Sequence, residues 1–248
     1  RDQPRSRGFG DVYKRQDSMQ DPKARDFLAF LNTLTEDRPA THLFLVGDIF
    51  DLWVGPHQYF VDRFEPIVQR LRQLVNSGVE VHYFEGNHDL HLQNYWQNNL
   101  GVQVHSGPEY FEINAKVLRV EHGDQTDPDD KGYRFLRWFL RTPPLRLLAH
   151  NLPQKAVSWI GTKASHASRD YTSQVKTIDS KTAIQKLRTH ADKAYAQNPF
   201  DLLVNGHVHI VDDYQAENFR AINLGTWLEK PRALHMSVTK TQLVPLYF

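Results

Sequence analysis

His42-Leu-Phe-Leu-Val-Gly-Asp-Ile-Phe-Asp51 and Val79-Glu-Val-His-Tyr-Phe-Glu-Gly-Asn-His-Asp89 follow one plan, a short apolar run that stops at glycine beside Asp or Asn. Such a run suits a strand buried in a parallel sheet, with the glycine turning the chain out of it. Between the two lies an amphipathic stretch, Tyr59 to Asn76, with Phe64, Ile67, Val68, Leu71 and Val75 at helical spacing. Strand, loop, helix and strand in that order predict a βαβ unit. Toward the N-terminus a further helix is expected from Lys23, with Phe27, Leu28, Leu31 and Leu34 on one face. Toward the C-terminus strands are expected at Tyr110 to Ile113 and Val117 to Glu121. A long helical stretch then runs from about Asp129 to Asn198, and β pattern returns at Asp201 to Val204, Asp212 to Gln215, Ala221 to Leu224, Ala233 to Val238 and Gln242 to Tyr247. The chain thus reads as an α/β core, residues 21–128 and 199–248, interrupted by a helical cap, residues 129–198.

With 248 residues, 40% of them hydrophobic, the chain can bury a real core. A formal net charge of +1 argues against a global nucleic-acid footprint. There are no cysteines, which removes disulfides and zinc–thiolate sites and fits a reducing compartment. Any metal must be held by His, Asp, Glu or Asn. No stretch reaches the roughly 18 apolar residues of a membrane span, and no signal-peptide apolar region is found. Residues 1–20, beginning at Arg1, are polar and without periodicity, and are expected to be non-native or disordered.

Four motifs stand just after apolar runs: Gly47-Asp-Ile-Phe-Asp51, Gly86-Asn-His-Asp89, His122-Gly-Asp124 and Gly206-His-Val-His209. Loops at the carboxyl ends of strands converge in an α/β sheet. Imidazole, carboxylate and amide oxygen suit ions such as Mn2+, Fe2+ or Zn2+. A carboxylate such as Asp48 can bridge two ions about 3.5–4 Å apart, a pair that clamps both oxygens of a phosphoryl displacement. A lone Gly-Asp is usually a turn, and a lone His-x-His can be two faces of an edge strand. The ordered set of four carries the inference.

In that order the motifs resemble the calcineurin-like metallophosphoesterase family from Lys23 onward. The resemblance implies an αββα sandwich with an inserted helical cap and two divalent ions. Asp48 would bridge them, Asn87, His122 and His207 would complete one site, and His209 would belong to the other. His88, supported by Asp89, would be the catalytic histidine that stabilises the transition state or protonates the leaving group. The family also has an Asp-x-His motif on its first strand. The nearest match here is Asp11-Val12-Tyr13, so the chain as it stands should hold one metal well and the other poorly, with a gap at one strand.

Between Lys131 and Arg169 lie eight Lys or Arg residues and no Asp or Glu, interleaved with Tyr133, Phe135, Trp138, Phe139 and Trp159. Arg134, Arg137 and Arg141 fall on one helical face, the aromatics on another. One reading packs those aromatics on the core beneath a solvated basic face. The other offers them to an anionic membrane surface or an acylated phosphorylated substrate. The phrases Val120-Glu-His-Gly-Asp-Gln125, Gly47-Asp-Ile-Phe-Asp-Leu-Trp53 and Asn223-Leu-Gly-Thr-Trp227 resemble the UDP-2,3-diacylglucosamine hydrolases of lipid A biosynthesis. That resemblance implies cleavage of a nucleotide-linked lipid, with Mn2+, at the inner face of the cytoplasmic membrane. Arg137, Arg141, Ser168 and Lys176 become candidate substrate contacts, with Arg169 beside them. One departure is specific, for those hydrolases carry arginine where this chain has His88. A phosphodiesterase or phosphatase acting on a soluble ester, and a binding module with a defective metal site, remain alternatives. No nucleic-acid partner is expected.

Overall fold

The computed structural model describes residues 18–34, 40–157, 159, 180–227 and 230–247. Asp11-Val12-Tyr13, and Ser168, Arg169 and Lys176, lie outside the described residues.

Helix α1 (Pro22–Thr33) starts where the Asp21 carboxylate accepts from the Lys23 amide at 2.8 Å, with Pro22 pre-set at the first helical position. Its buried face is Ala24, Phe27, Phe30 and Leu31. The helix expected across residues 59–76 is two helices, α2 (Gln58–Arg63) and α3 (Glu65–Asn76). Pro66 has no amide hydrogen for the Asp62 carbonyl and its ring crowds that carbonyl, so the chain breaks at Phe64, φ −123°. A one-turn α4 (Asn98–Leu100) extends a π-helical turn at Gln93–Gln97.

The first sheet is parallel, β1 (His42–Leu45), β3 (Glu80–Phe84) and β5 (Gln103–His105), in the order β1-β3-β5. Past its upper edge β2 (Trp53–Val54) pairs with β4 (Asp89–Leu90). The second sheet runs β6 (Glu109–Ile113), β7 (Lys116–Val120), β8 (Leu202–Asn205), β10 (Arg220–Leu224), β9 (Val211–Gln215). Its inner pairs β7–β8 and β8–β10 are parallel and its outer pairs antiparallel. A hairpin of β11 (Arg232–Met236) and β12 (Thr241–Pro245) follows.

Val46 and Phe84 from the first sheet meet Leu118, Val120, Leu202, Val204 and Ile222 from the second, the dry layer between them. On the outer side of the first sheet α1 and α3 bury Leu31, Ile67 and Leu71 with Leu45, Val81 and Tyr83. Outside the second, α7 (Ser180–Gln197) packs Ala191 and Ala194 on Leu203 and Ala221. The layering is αββα, and both sheets present their parallel strand ends on one side. Each fully buried Leu or Ile contributes on the order of 1.5–3 kcal/mol.

Helices α5 (Lys131–Leu140) and α6 (Pro143–Asn151) behave differently, for neither buries a side chain. Pro143 and Pro144 separate them. Phe135 and Trp138 are 63% and 62% exposed, so the aromatic face is offered to the surroundings and is not packed on the core.

Within the sheet layer His82 stacks on Phe44 at 4.8 Å and its Nδ1 lies 3.1 Å from Nε2 of His105. Burial, with His105 and His42 close by, pushes His82 down to about 4; Glu109 faces His105 at 4.0 Å. Because the folded value lies below the unfolded value of about 6.5, this group's stability is whole above pH 6.5 and is lost as pH falls toward 4. His82→Phe, which keeps the stack, should flatten the fall of Tm between those pH values. An unchanged slope by calorimetry would remove His82 from the account.

Candidate metal centre

The loops leaving β1, β3, β7 and β8 meet because close approach is possible only where a side chain is missing. A Cβ on Gly47 would fall 2.4 Å from Nδ1 of His122, and one on Gly86 would fall 2.7 Å from the Asp48 amide nitrogen. Gly47 also has φ +79°, and the next residue, Asp48, follows it into the left-handed region at φ 53°. A non-glycine residue there costs on the order of 1–3 kcal/mol and persists only where its surroundings over-determine it.

For Asp48 the surroundings are the amides of Asn87 and His88, each donating to Oδ1 at 3.0 Å. Its other oxygen, Oδ2, lies 3.7 Å from Nε2 of His122. His122 donates from Nδ1 to the Val46 carbonyl at 2.8 Å, so its Nε2 carries the lone pair. Nδ1 of His207 sits 3.2 Å from that nitrogen, and His207 too has positive φ, 61°. Ligand atoms of Asp48, His122 and His207 all lie within 4.8 Å of one another. Burial and the neighbouring His122 push His207 down to about 3, which leaves it neutral, the form that ligates.

The residues suit a divalent ion. Beside the trio, Oδ1 of Asn87 is buried without a hydrogen-bond partner. Such an oxygen costs about 1–3 kcal/mol unless a donor or a cation meets its lone pairs. His209 stands outside the trio, near enough to His207 to weigh against its protonation.

The structure separates the expected pair His88 and Asp89. Nδ1 of His88 donates to the Asp51 carbonyl at 2.8 Å, so a backbone oxygen and not Asp89 fixes its tautomer and leaves Nε2 as the basic nitrogen. Asp89 is fully buried and accepts from Tyr83 Oη at 2.7 Å, Gly86 N at 2.6 Å and Ile49 N at 3.0 Å. Burial, with the charge of Asp48, raises its pKa. Its contacts tie the β3 loop to the β1 loop.

Arg137 donates to Asp124 from Nε at 2.6 Å and to the Ser106 carbonyl from Nη2 at 2.8 Å. Tyr133 adds a 2.8 Å bond to the same carboxylate. Arg141 donates to the Gly86 carbonyl at 3.2 Å and faces Glu85 at 3.8 Å. Both arginines therefore join α5 to the metal-side loops. Ser168 and Lys176 lie outside the described residues.

Sequence reasoning missed Asn223. Buried within β10, it donates to the Gly206 carbonyl at 2.7 Å and to Asn205 Oδ1 at 2.8 Å, holding the loop that carries His207. An asparagine inside an apolar strand, Arg220–Leu224, was the available signal.

The family profile for calcineurin-like phosphoesterases matches residues 8–211. A UDP-2,3-diacylglucosamine hydrolase of Pseudomonas entomophila (strain L48) is 28% identical over 232 residues, covering 89% of this chain and 92% of that protein. A UDP-2,3-diacylglucosamine hydrolase of Porphyromonas gingivalis (strain ATCC BAA-308 / W83) is 28% identical over 222 residues, covering 82% of each. Among solved structures, an archaeal phosphodiesterase aligns over 92% of this chain and 96% of its own with TM-score 0.45 and 14% identity.

Asn223→Ala should weaken divalent-metal binding about tenfold or more, the usual effect of removing a group that orients a ligand. Titration calorimetry with Mn2+ reads this directly. Wild-type affinity in the variant would show that the Gly206 loop holds its shape unaided.

Proposed function

The chain belongs to the calcineurin-like phosphoesterase family, and we propose that this hydrolase of phosphoester or anhydride bonds cleaves the pyrophosphate of UDP-2,3-diacylglucosamine to UMP and 2,3-diacylglucosamine 1-phosphate. The observation that carries the reading is an exposed apolar face beside a phosphoesterase centre. Phe135, Trp138, Leu147 and Leu148 are 57–66% exposed on α5 and α6, a surface that acyl chains cover and a soluble nucleotide does not. The relatives named for that reaction, covered over most of their length, support the same substrate.

Two divalent ions, Mn2+ first among them, would be held by Asp48, Asn87, His122 and His207, with His209 serving the second. When bound they supply Lewis-acid stabilisation of phosphoryl charge and an acidified water. The protein's own groups do the rest. His88, its Nδ1 bonded to the Asp51 carbonyl, would move a proton at Nε2 to the departing oxygen as water oxygen adds to phosphorus and the P–O–P bridge opens. Arg141, anchored on the Gly86 carbonyl, brings positive charge to the same loop. Arg137, bonded to Asp124, keeps α5 against the centre; contact with substrate phosphate is proposed for both arginines.

No helix among the described residues is long and apolar enough to cross a membrane. We place the chain at the inner face of the cytoplasmic membrane, its apolar α5–α6 face and the Arg146 and Lys155 charges meeting anionic lipid. The helical segment 129–198 acts as the cap over the core made by residues 21–128 and 199–248.

Mn2+-dependent release of UMP from UDP-2,3-diacylglucosamine is the direct assay. His88→Ala should lower kcat by about a hundredfold or more with little change in KM. Trp138→Ser should raise KM for the acylated substrate and leave bis(p-nitrophenyl) phosphate hydrolysis as it was. Equal turnover of acylated and acyl-free esters would favour the soluble-ester reading, which His88 in place of arginine also supports.

A further inference from the structure

On the far side of the His122-Gly-Asp124 loop lies a cleft of about 620 Å3, bounded by the end of β7, the β5–β6 turn, the start of α5 and the side of α7 that meets Glu121. We propose that this cleft takes the nucleoside half of the substrate, so that the scissile bond lies between a polar cleft on one side and the apolar α5–α6 face on the other. The inference rests on the preceding reading that the substrate is nucleotide-linked, and adds the direction in which it lies.

Position comes first. His122, Gly123 and Asp124 line the cleft, and His122 is also a member of the metal trio. A phosphate at the trio therefore has the cleft mouth as its neighbour. The volume lies within the range of about 300–1,000 Å3 usual for small-molecule sites.

Chemistry then selects the half. Gln125, Gln185 and Thr189 bring amide and hydroxyl groups to the lining, each able both to donate and to accept. A pyrimidine edge and ribose hydroxyls need that mixture. An acyl chain would desolvate these groups and return nothing. The imidazole of His105, backed by the Phe84 ring at 4.7 Å, supplies a flat wall.

Charge does not oppose this. In the lining Arg119 is matched by Glu121, Arg137 by Asp124 and Lys186 by Asp127. Arg134 and Lys193 stand against Glu85 and Asp129, so the charges balance, which suits the uncharged nucleoside half of a nucleotide.

Finally, the cleft is built in advance. Glu121, 4% exposed, accepts from Arg119 at 3.0 and 2.8 Å and pairs with His190 of α7 at 2.5 Å. Against its burial, His190 and Arg119 hold the Glu121 carboxyl below its usual range. This network pins α7 to β7 one residue before His122. A preformed wall spares a ligand the cost of ordering it.

The test is titration calorimetry of the full chain loaded with Mn2+, using UMP and inorganic phosphate as paired probes. UMP should bind about tenfold or more tighter than phosphate, a difference the nucleoside contributes. Gln185→Trp and Thr189→Trp, exposed positions on the α7 wall whose new rings fill the cleft, should each bring that ratio toward one without changing phosphate affinity. A ratio near one in the unaltered chain, or a ratio that neither variant moves, overturns the assignment. If the ratio behaves as stated while UDP-2,3-diacylglucosamine is not cleaved, the nucleoside cleft stands and the lipid half of the substrate falls.

Discussion

The site hangs on the carboxylate of Asp48. One oxygen accepts the amides of Asn87 and His88, which joins the β1 loop to the β3 loop. The other turns toward His122 on the β7 loop. To do both, the residue sits in the left-handed region, where a non-glycine backbone costs on the order of 1–3 kcal/mol. His207 shares that conformation. Two strained candidate ligands within a few ångströms mean that the geometry is set by the site and not by local preference.

What offsets the strain is buried and polar. The Val46 carbonyl orients His122, the Asp51 carbonyl orients His88, and Asn223 braces the Gly206 loop. Asp89 accepts three bonds, and the one from the Ile49 amide ties the β3 loop to the β1 loop. Val46 and Asp51 belong to the loop after β1, Asp89 to β4 and Asn223 to β10, so the set is complete only when both sheets are assembled. The dry layer of Val46, Phe84, Leu118, Val120, Val204 and Ile222 provides that assembly. Core packing and ligand placement are one problem in this fold.

The α5–α6 pair meets the centre through polar contacts. Among its inward contacts are Arg137 and Tyr133 on Asp124 and Arg141 on the Gly86 carbonyl. Burial, with Arg137 adjacent, lowers the pKa of Arg141, yet Glu85 and Asp124 face it from the core. Its outward side is left apolar, with Phe135, Trp138 and Phe139 touching one another at 5.7 and 6.1 Å. A helix pair that buries nothing in its own chain has its apolar contacts to make elsewhere.

Much of this was legible in the sequence. Alternation and apolar runs located β1, β3, β6, β7, β8 and β10, because strand burial writes itself into residues near one another. The four Gly-bounded motifs located the loops of the trio, because ligand chemistry restricts residue type and close approach demands glycine. Other features needed the assembled chain. The break at Phe64 follows from Pro66, which overrides the strong apolar period across residues 59–76. The two-residue strands β2 and β4 exist only by pairing with each other. The partner of His88 is a backbone carbonyl 37 positions away, and backbone carbonyls carry no letter in a sequence. Asn223 and the Arg119–Glu121–His190 network join segments 17 to 69 residues apart. Residue types and short spacings fixed which groups were available to the site. Tertiary contact alone decided which of them face one another, because hydrogen bonds and steric limits act over ångströms in space and not along the chain.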